Sequence, residues 1–149
     1  MRITKVTTKT GDGGKTSLGN GQRVHKNHPI INTLGELDYL NSIIGWAEVE
    51  SANESCSIEL KNIQQDIFNI SGDLSLPNSD ISLLKEERII HLEKMIKNMN
   101  EKLPPLEEFI LPGGSELNAR LHIARTTCRN SERSLAVSYT HLTLPTKLA

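Results

Sequence analysis

Apolar residues recur at steps of three and four positions along four stretches of the chain, the spacing that lines one face of an α-helix. The first stretch begins at Pro29, a residue well suited to the first position of a helix. The others run from about Glu54 to Leu74, from about Lys85 to Lys102, and onward from about Ser115. The pattern predicts an all-α fold, an antiparallel helix bundle whose apolar faces pack together. The positions expected to pack are, in chain order, Ile30, Leu34, Leu37, Asn41, Ile44, Ala47, Cys56, Leu60, Ile63, Ile67, Ile70, Leu74, Ile89, Leu92, Ile96, Met99, Leu103, Leu117, Leu121, Ala124, Cys128 and Leu135.

Residues that cap or break helices separate the four stretches. Asn53 precedes the second stretch and Pro77 follows it, while two consecutive prolines at positions 104 and 105 follow the third. A Pro-Gly-Gly turn at positions 112–114 precedes the fourth stretch, and Ser115 is expected to be the N-cap of that helix.

The first 28 residues depart from this pattern, because they are polar and rich in glycine. Six of the chain's ten glycines lie between Gly11 and Gly35, and each glycine inside a helix costs about 1 kcal/mol relative to alanine. We therefore expect a long loop with a little extended structure around Ile3 and Val6. Long loops inside compact domains are often functional.

Within this loop, the segment TTKTGDGGKT at positions 7–16 has the composition of an anion-binding site. It is not a standard P-loop, because that motif requires glycine where Lys9 stands. Glycines allow backbone N–H groups to turn inward, and Lys9, Lys15 and the threonine hydroxyls add further donors. Asp12 is suited either to holding a metal ion or to bracing the loop. The alternative is a flexible polar N-terminus that binds nothing.

The fourth predicted helix presents a charged face. His122, Arg125, Arg129 and Glu132 follow one another at steps of three, four and three, and so project from one side. Two arginines one turn apart form a forked clamp suited to a polyphosphate. The alternative is a solvated face with Arg–Glu pairs, each worth only a few tenths of a kcal/mol.

Two further residues are candidates for a site. Asp38 is expected on the buried edge of the first helix, where a carboxylate needs a partner such as an arginine of the fourth helix. The same pair would also serve as a purely structural ion pair. Phe109 lies in an apolar segment before the Pro-Gly-Gly turn, where a loop would present it to a ligand. Its alternative role is to cap the core of the bundle.

Composition and charge narrow the function classes. The chain has 149 residues, the size of one domain, and its 17 basic and 18 acidic residues give a net charge of −1, without the basic excess that broad nucleic-acid binding needs. Because no apolar run approaches about 20 residues, we expect no membrane association. The first residues lack the apolar core of a signal peptide, and two cysteines are too few for a disulfide framework, so we expect a cytoplasmic protein. The five histidines form no ligand-spaced cluster, so no protein-held metal site is expected.

The motifs TKTGDGGKTSL, HKNHP, GELDYLNSIIG and FILPGGSELNARLHIARTTCRNSER, in this order, resemble those of the PduO-type ATP:cob(I)alamin adenosyltransferases. The resemblance covers about Ile3 to Val137. It implies a ferritin-like helical bundle with a glycine-rich nucleotide-binding loop, assembled as a homotrimer with active sites between subunits. It also implies transfer of the 5′-deoxyadenosyl group of ATP to the cobalt of cob(I)alamin with release of triphosphate, supported by Mg²⁺. Expected protein partners are a reductase or an adenosylcobalamin-dependent acceptor enzyme.

The resemblance also implies roles for individual residues. Arg125 and Arg129 match the arginines that hold the triphosphate, and Asp38 matches an acid that pairs with the first of them across subunits. Phe109 matches the aromatic residue that displaces the lower axial base of cobalamin. The residues that match nucleotide-binding positions are Thr8, Lys9, Thr10, Gly11, Asp12, Gly14, Thr16, Lys26, Arg125, Arg129, Glu132 and Arg133.

The sequence departs from the family pattern at three places. Asn130 stands where an arginine is usual, and Tyr39 where an acid is usual. The last twelve residues, SYTHLTLPTKLA, are either a native coil or short edge strand or, as we expect, translated vector or adapter sequence. This places the family domain at residues 1–137 without its last helix and the tail at 138–149, as in a truncated reading frame. The alternative functions are a non-catalytic ATP-binding helical module, an inactive fragment of such an enzyme, or an ordinary NTPase.

Overall fold

The computed structural model describes residues 5–80 and 82–147, and the side chains among them up to Ser138. It contains a short hairpin of strands β1 (Lys15–Ser17) and β2 (Arg23–His25). Four helices follow: α1 (Pro29–Glu48), α2 (Glu54–Ser75), α3 (Glu86–Asn100) and α4 (Glu116–Lys147). The prediction of an all-α bundle is confirmed. The periodic pattern located the start of each helix, and the ends of α2 and α3, to within two residues.

Capping side chains fix where three of the helices begin. Pro29 occupies the first turn of α1, and the preceding His28 accepts a hydrogen bond from the backbone N–H of Ile30 through Nδ1, at 3.3 Å. Asn53 caps α2 by accepting from the N–H of Cys56 at 3.0 Å. Ser115 accepts from the N–H of Asn118 at 3.2 Å, as the sequence predicted. Each cap satisfies a backbone donor that the helix itself leaves without a partner.

Helix α1 is the centre of the bundle, because it packs against both α2 and α4. All six packing positions predicted for α1 are buried or half-buried, and Ala47 is completely inaccessible. The buried apolar core consists of Leu18, Val24, Ile30, Leu37, Leu40, Ile44, Ala47, Ile67, Leu74 and Ala124.

The face of α4 that packs on α1 differs from the predicted one. Cys128 was expected in this face but is exposed, whereas Thr127 and Ser131 are buried. Ser131 donates a hydrogen bond to the backbone oxygen of Glu36 in α1, at 3.1 Å. Small side chains allow two helices to approach closely, and backbone carbonyls satisfy their hydroxyl groups. A search for apolar periodicity passes over such residues because they are polar.

The predicted packing of α3 is wrong for this chain. Of its five expected packing positions only Leu92 is half-buried, while Ile96 is 66% exposed. Polar contacts tie α3 to α2 instead: Arg88 pairs with Glu59 and Asp66 of α2, each at 2.8 Å. The periodicity identified an apolar face correctly, but it carries no information about which element covers that face.

Replacing Arg88 by alanine is expected to lower the free energy of unfolding by about 2 kcal/mol, because the carboxylate of Asp66 loses its partner where it is largely buried. Chemical denaturation measures this loss. Lys94→Ala, which removes an exposed cation from the same helix, is the control and is expected to change stability little. Equal denaturation midpoints for the two variants would contradict the role given to Arg88.

The loss of stability in Arg88→Ala is expected to depend on pH, because Arg88 also pairs with Glu59. Burial raises the pKa of Glu59, but hydrogen bonds from Arg88 and His91 together lower it by more than burial raises it. The pKa of Glu59 therefore lies below its ordinary value. A carboxylate with a lowered pKa contributes stability above the pKa of the unfolded chain and loses it as the pH falls through the folded-state pKa. The difference between the parent chain and Arg88→Ala is therefore expected to shrink under acidic conditions.

Helix α4 continues to Lys147, so the alternative of a native coil or short edge strand for residues 138–149 is wrong as far as residue 147. The side chains beyond Ser138 lie outside the described residues, and the division of the chain at residue 137 stays a prediction. Among the helices that the structure describes, none is both long enough and apolar enough to cross a membrane.

Candidate functional site

The hairpin gives the glycine-rich loop a defined shape. Strands β1 and β2 are antiparallel, with Thr16 opposite Val24. Extended structure was expected near Ile3 and Val6; Ile3 lies outside the described residues and Val6 is in no strand. Arg23 ties the loop to the hairpin, because its Nη2 donates to the backbone oxygen of Thr10 at 2.8 Å. Arg23 was not among the predicted site residues, since no local pattern marks a side chain that reaches back thirteen positions.

Lys26 lies over the glycines of the loop. Its backbone N–H donates to the oxygen of Gly14 at 2.9 Å, and its Nζ lies only 3.3 Å from where a Cβ on Gly11 would be. Gly14 has a φ of +76°, a conformation that favours glycine. The structure therefore brings three of the predicted nucleotide-binding residues together.

The polar groups of the loop are directed toward solvent. Gly11 and Thr16 are half-buried, and in the described chain none of the loop lysines makes an ion pair. The hydroxyl groups of Thr8 and Thr10 lie 3.0 Å apart. Such a loop offers several cationic and neutral donors to an anion. The exposed members of the predicted set are Thr8, Lys9, Thr10, Asp12, Gly14, Lys15 and Lys26.

The turn of the hairpin is anchored on the end of α2. The backbone N–H of Gly19 donates to the oxygen of Ser75 at 2.9 Å. A Cβ at position 19 would lie 2.9 Å from Oγ and 3.1 Å from the backbone oxygen of Ser75. Because contacts this short force a neighbour to move, the close approach of hairpin and helix requires glycine here.

Replacing Gly19 by alanine is expected to cost about 1 kcal/mol of stability, because the added methyl group overpacks the contact with Ser75. The amide hydrogen of residue 19 should exchange faster, which hydrogen exchange detects. Gly13→Ala is the matched control, since a Cβ at Gly13 meets nothing within 4 Å. Equal exchange and stability in the two variants would contradict the anchoring role of Gly19.

The charged face of α4 is open. Arg125, Arg129 and Glu132 are all exposed, and His122 is half-buried. Neither Arg125 nor Arg129 makes a hydrogen bond or an ion pair within the described chain. The Arg–Glu pairs required by the solvated-face alternative are therefore missing from this part of the molecule.

Arg133 and Cys128 lie next to the residues of this charged face in the sequence. Arg133 donates a hydrogen bond to the side-chain oxygen of Asn130, one of the positions that depart from the family pattern. The thiol of Cys128 has a raised pKa, because partial burial and the negative charge of Glu132 both disfavour the thiolate.

A cleft of about 940 Å³ lies between α4 and the end of α2, and Glu132 is the residue of the charged face that lines it. Glu132 lies on the wall formed by α4, and Leu76, next to the Ser75 that holds Gly19, lies on the wall formed by the end of α2. Most of the other lining residues are apolar, among them Ile70 and Leu135. The cleft therefore has the mixed character of a site for a ligand with both polar and apolar parts.

Asp38 lies elsewhere than expected, whereas Phe109 lies in an exposed loop as the sequence predicted. The prediction of a buried edge for Asp38 is wrong: its side chain is exposed and makes no ion pair in the described chain. One helical step of 100° beyond Leu37 carries it off the packed face. Phe109 is 100% exposed, so the alternative that it caps the core is also wrong. No hydrogen bond or ion pair joins the loop, Asp38 and the arginine face within the described residues.

Comparison with known proteins gives a consistent result. The model of the family described as cobalamin adenosyltransferase matches residues 6–145. A cobalamin adenosyltransferase of Cupriavidus metallidurans is 44% identical over 135 residues, which cover 90% of this chain and 72% of that protein. The corrinoid adenosyltransferase PduO of Citrobacter freundii is 38% identical; the match covers 93% of this chain but only 43% of that longer protein.

A solved structure gives the same result for the fold. It is that of a phenylalanine-to-alanine variant of a PduO-type ATP:corrinoid adenosyltransferase from Lactobacillus reuteri, complexed with cobalamin and ATP. Its TM-score with this chain is 0.82 at 37% identity, and the match covers 89% of this chain and 76% of that one. The family match over most of the chain and the relative at 44% identity show that this chain belongs to the cobalamin adenosyltransferase family.

Proposed function

We propose that this protein transfers the 5′-deoxyadenosyl group of ATP to the cobalt of cob(I)alamin, forming adenosylcobalamin and triphosphate. The observation that carries the proposal is a pair of exposed arginines on α4, Arg125 and Arg129, which have no partner among the described residues, in a member of this family. Two guanidinium groups one turn apart suit a polyphosphate leaving group. The relative of known structure binds both cobalamin and ATP.

The chemistry requires no nucleophile from the protein, because cob(I)alamin is itself a strong one. Its cobalt forms a bond with the 5′ carbon of ATP while the bond from that carbon to the triphosphate oxygen breaks. The protein has to align the two reactants and stabilise the negative charge of the departing triphosphate. Arg125 and Arg129 are assigned to that charge, and the loop from Thr8 to Thr16, with Lys26, is assigned to the rest of the nucleotide.

Magnesium fits this site as a companion of ATP. The described residues contain no group of three or more His, Cys, Asp or Glu side chains able to hold a metal ion. Mg²⁺ is commonly bound through phosphate oxygens and water with one or two carboxylates. Asp12, the one carboxylate of the glycine-rich loop, is the residue available to contribute. Bound there, Mg²⁺ would neutralise phosphate charge.

We place the active site between subunits of a homotrimer. The loop and the arginine face are each exposed, and no hydrogen bond links them within the described chain. Asp38 is also exposed and has no ion-pair partner in the part of the chain that the structure describes, which fits a pairing with Arg125 of another subunit. A second subunit would join these separate surfaces and complete a site that one chain leaves open.

We further assign Phe109 to the lower face of the corrin, where its exposed ring would displace the axial base. Cob(II)alamin without this ligand is easier to reduce, and a reductase is the expected source of the electron. An adenosylcobalamin-dependent enzyme is the expected acceptor of the product. Cys56 and Cys128 are free thiols, consistent with the reducing cytoplasm that we propose as the location.

One assay tests the proposed function. The protein is incubated with ATP, Mg²⁺ and chemically reduced cobalamin, and adenosylcobalamin is followed by its absorbance. Formation of adenosylcobalamin together with triphosphate is the expected result. ATP binding without any reaction would favour the non-catalytic module or inactive fragment, and ADP formation without corrinoid would favour an ordinary NTPase.

A further inference from the structure

Arg120, in the second turn of α4, lies in a cluster that the proposed function does not use. Its side chain is only 13% exposed although it carries a charge. Nε pairs with Glu116 at 2.8 Å, Nη1 donates to the backbone oxygen of Trp46 at 2.6 Å, and Nη2 lies 3.6 Å from Glu50. The guanidinium carbon stands 4.5 Å from the centre of the Trp46 ring. All three nitrogens and the face of the group are therefore engaged.

These contacts join the end of α1 to the beginning of α4. Trp46 belongs to the last turn of α1, whose carbonyl groups lack partners within the helix, and Arg120 satisfies one of them. A cation at this end also complements the negative end of the helix dipole. Farther along α4, buried small residues beginning at Ala124 hold the helix on α1 without Arg120.

The segment before α4 depends on its two ends for its position. Every residue from 101 to 114 is exposed except Gly113, which is half-buried. In the described chain, residues 104–114 make one hydrogen bond, from the side-chain amide of Asn118 to the oxygen of Gly113. The first turns of α4 are therefore the nearest fixed support for the loop that carries Phe109.

We infer that Arg120 is a positioning residue: by clamping the start of α4 to Trp46 at the end of α1, it holds the Phe109 loop where that loop meets the corrinoid. This inference rests on the proposed function, because it takes Phe109 as a contact of the corrinoid. Arg125 and Arg129 lie on the part of α4 that its buried small residues hold against α1. The contacts of Arg120 are therefore expected to affect corrinoid binding more than ATP binding.

The test compares Arg120→Gln and Arg120→Lys with the parent chain. Lys61→Gln is the matched control, since it breaks a 3.1 Å ion pair with Glu48 in the same turn of α1 but involves α2 rather than α4. Trp46 is the chain's single tryptophan, so its fluorescence reports the clamp directly. Its emission is expected to move to longer wavelength in Arg120→Gln, because the ring gains contact with water, and to remain unchanged in Lys61→Gln.

Binding is measured by equilibrium dialysis with cob(II)alamin in the presence of ATP, and separately with ATP alone. In Arg120→Gln the Kd for cob(II)alamin is expected to rise about tenfold and the Kd for ATP to stay within about twofold. The reason is that the variant displaces the Phe109 loop, which is proposed to contact the corrinoid and not ATP. Arg120→Lys keeps the charge but not the fork, so partial recovery is expected. Corrinoid affinities equal to that of Lys61→Gln would overturn the inference. Failure of the parent chain to bind cob(II)alamin would contradict the proposed function itself.

Discussion

Replacing Arg125 by alanine is expected to lower kcat/KM for adenosyl transfer by about 10²–10³-fold, the usual loss when one preorganised donor to a developing charge is removed. The residue is exposed and makes no ion pair within the described chain, so its removal leaves no buried charge without a partner. Most of the loss should therefore appear in catalysis and not in folding. Steady-state kinetics with reduced cobalamin and ATP, alongside chemical denaturation, separates the two effects.

Two further variants sharpen this experiment. Arg125→Lys keeps a positive charge but cannot form two parallel hydrogen bonds, so an intermediate loss of about tenfold is expected. Lys94→Ala removes an exposed cation from α3, outside the proposed site, and is expected to leave transfer unchanged. Parent-like activity of Arg125→Ala would contradict the assignment of Arg125 and Arg129 to the triphosphate.

Local signals in the sequence were sufficient to locate the helices. Pro29, Asn53 and Ser115 act within one turn of their own positions, and the helices begin where these residues indicate. The partners of each helix were harder to predict. The burial of Thr127 and the hydrogen bond from Ser131 to α1 depend on how closely two backbones approach, which no periodic pattern records. The exposed apolar face of α3 shows the same limit, since periodicity describes one helix and packing involves two.

Local patterns in the sequence likewise predicted some features of the candidate site and not others. Composition predicted the glycine-rich loop as a candidate anion site, because its residues are contiguous, and helical spacing predicted the exposed arginine face. The burial of Asp38 was predicted wrongly, since a single 100° step decides between a packed and an exposed position. Arg23 and Arg120 were not predicted, because Arg23 reaches Thr10 and Arg120 reaches Trp46, residues far away in the chain. Corrinoid chemistry came from the family resemblance and was not indicated by any pattern of charge or spacing.

Replacing Phe109 by alanine is expected to impair the use of cob(II)alamin much more than the use of cob(I)alamin. The ring is fully exposed in the single chain, so it contributes no core packing and its removal should leave stability almost unchanged. Reduction of cob(II)alamin is the step that benefits from loss of the lower ligand. In the role that we propose for Phe109 the ring displaces this ligand, so the ligand is expected to stay bound when the ring is removed. The rate from cob(II)alamin with a reductant is then expected to fall by about 10- to 200-fold, the range for losing apolar contacts in a pocket.

Chemically prepared cob(I)alamin bypasses that step, because its cobalt is already reduced and has no need of the displacing ring. Transfer by Phe109→Ala from cob(I)alamin should therefore stay within about threefold of the parent rate, as for a variant that loses an interaction made in only one step. Leu111→Ala is the matched control, since Leu111 lies two residues away and is 92% exposed. Similar losses in both variants would assign the effect to the apolar loop as a whole. Equal losses from both oxidation states in Phe109→Ala would make Phe109 a binding contact and not the residue that displaces the ligand.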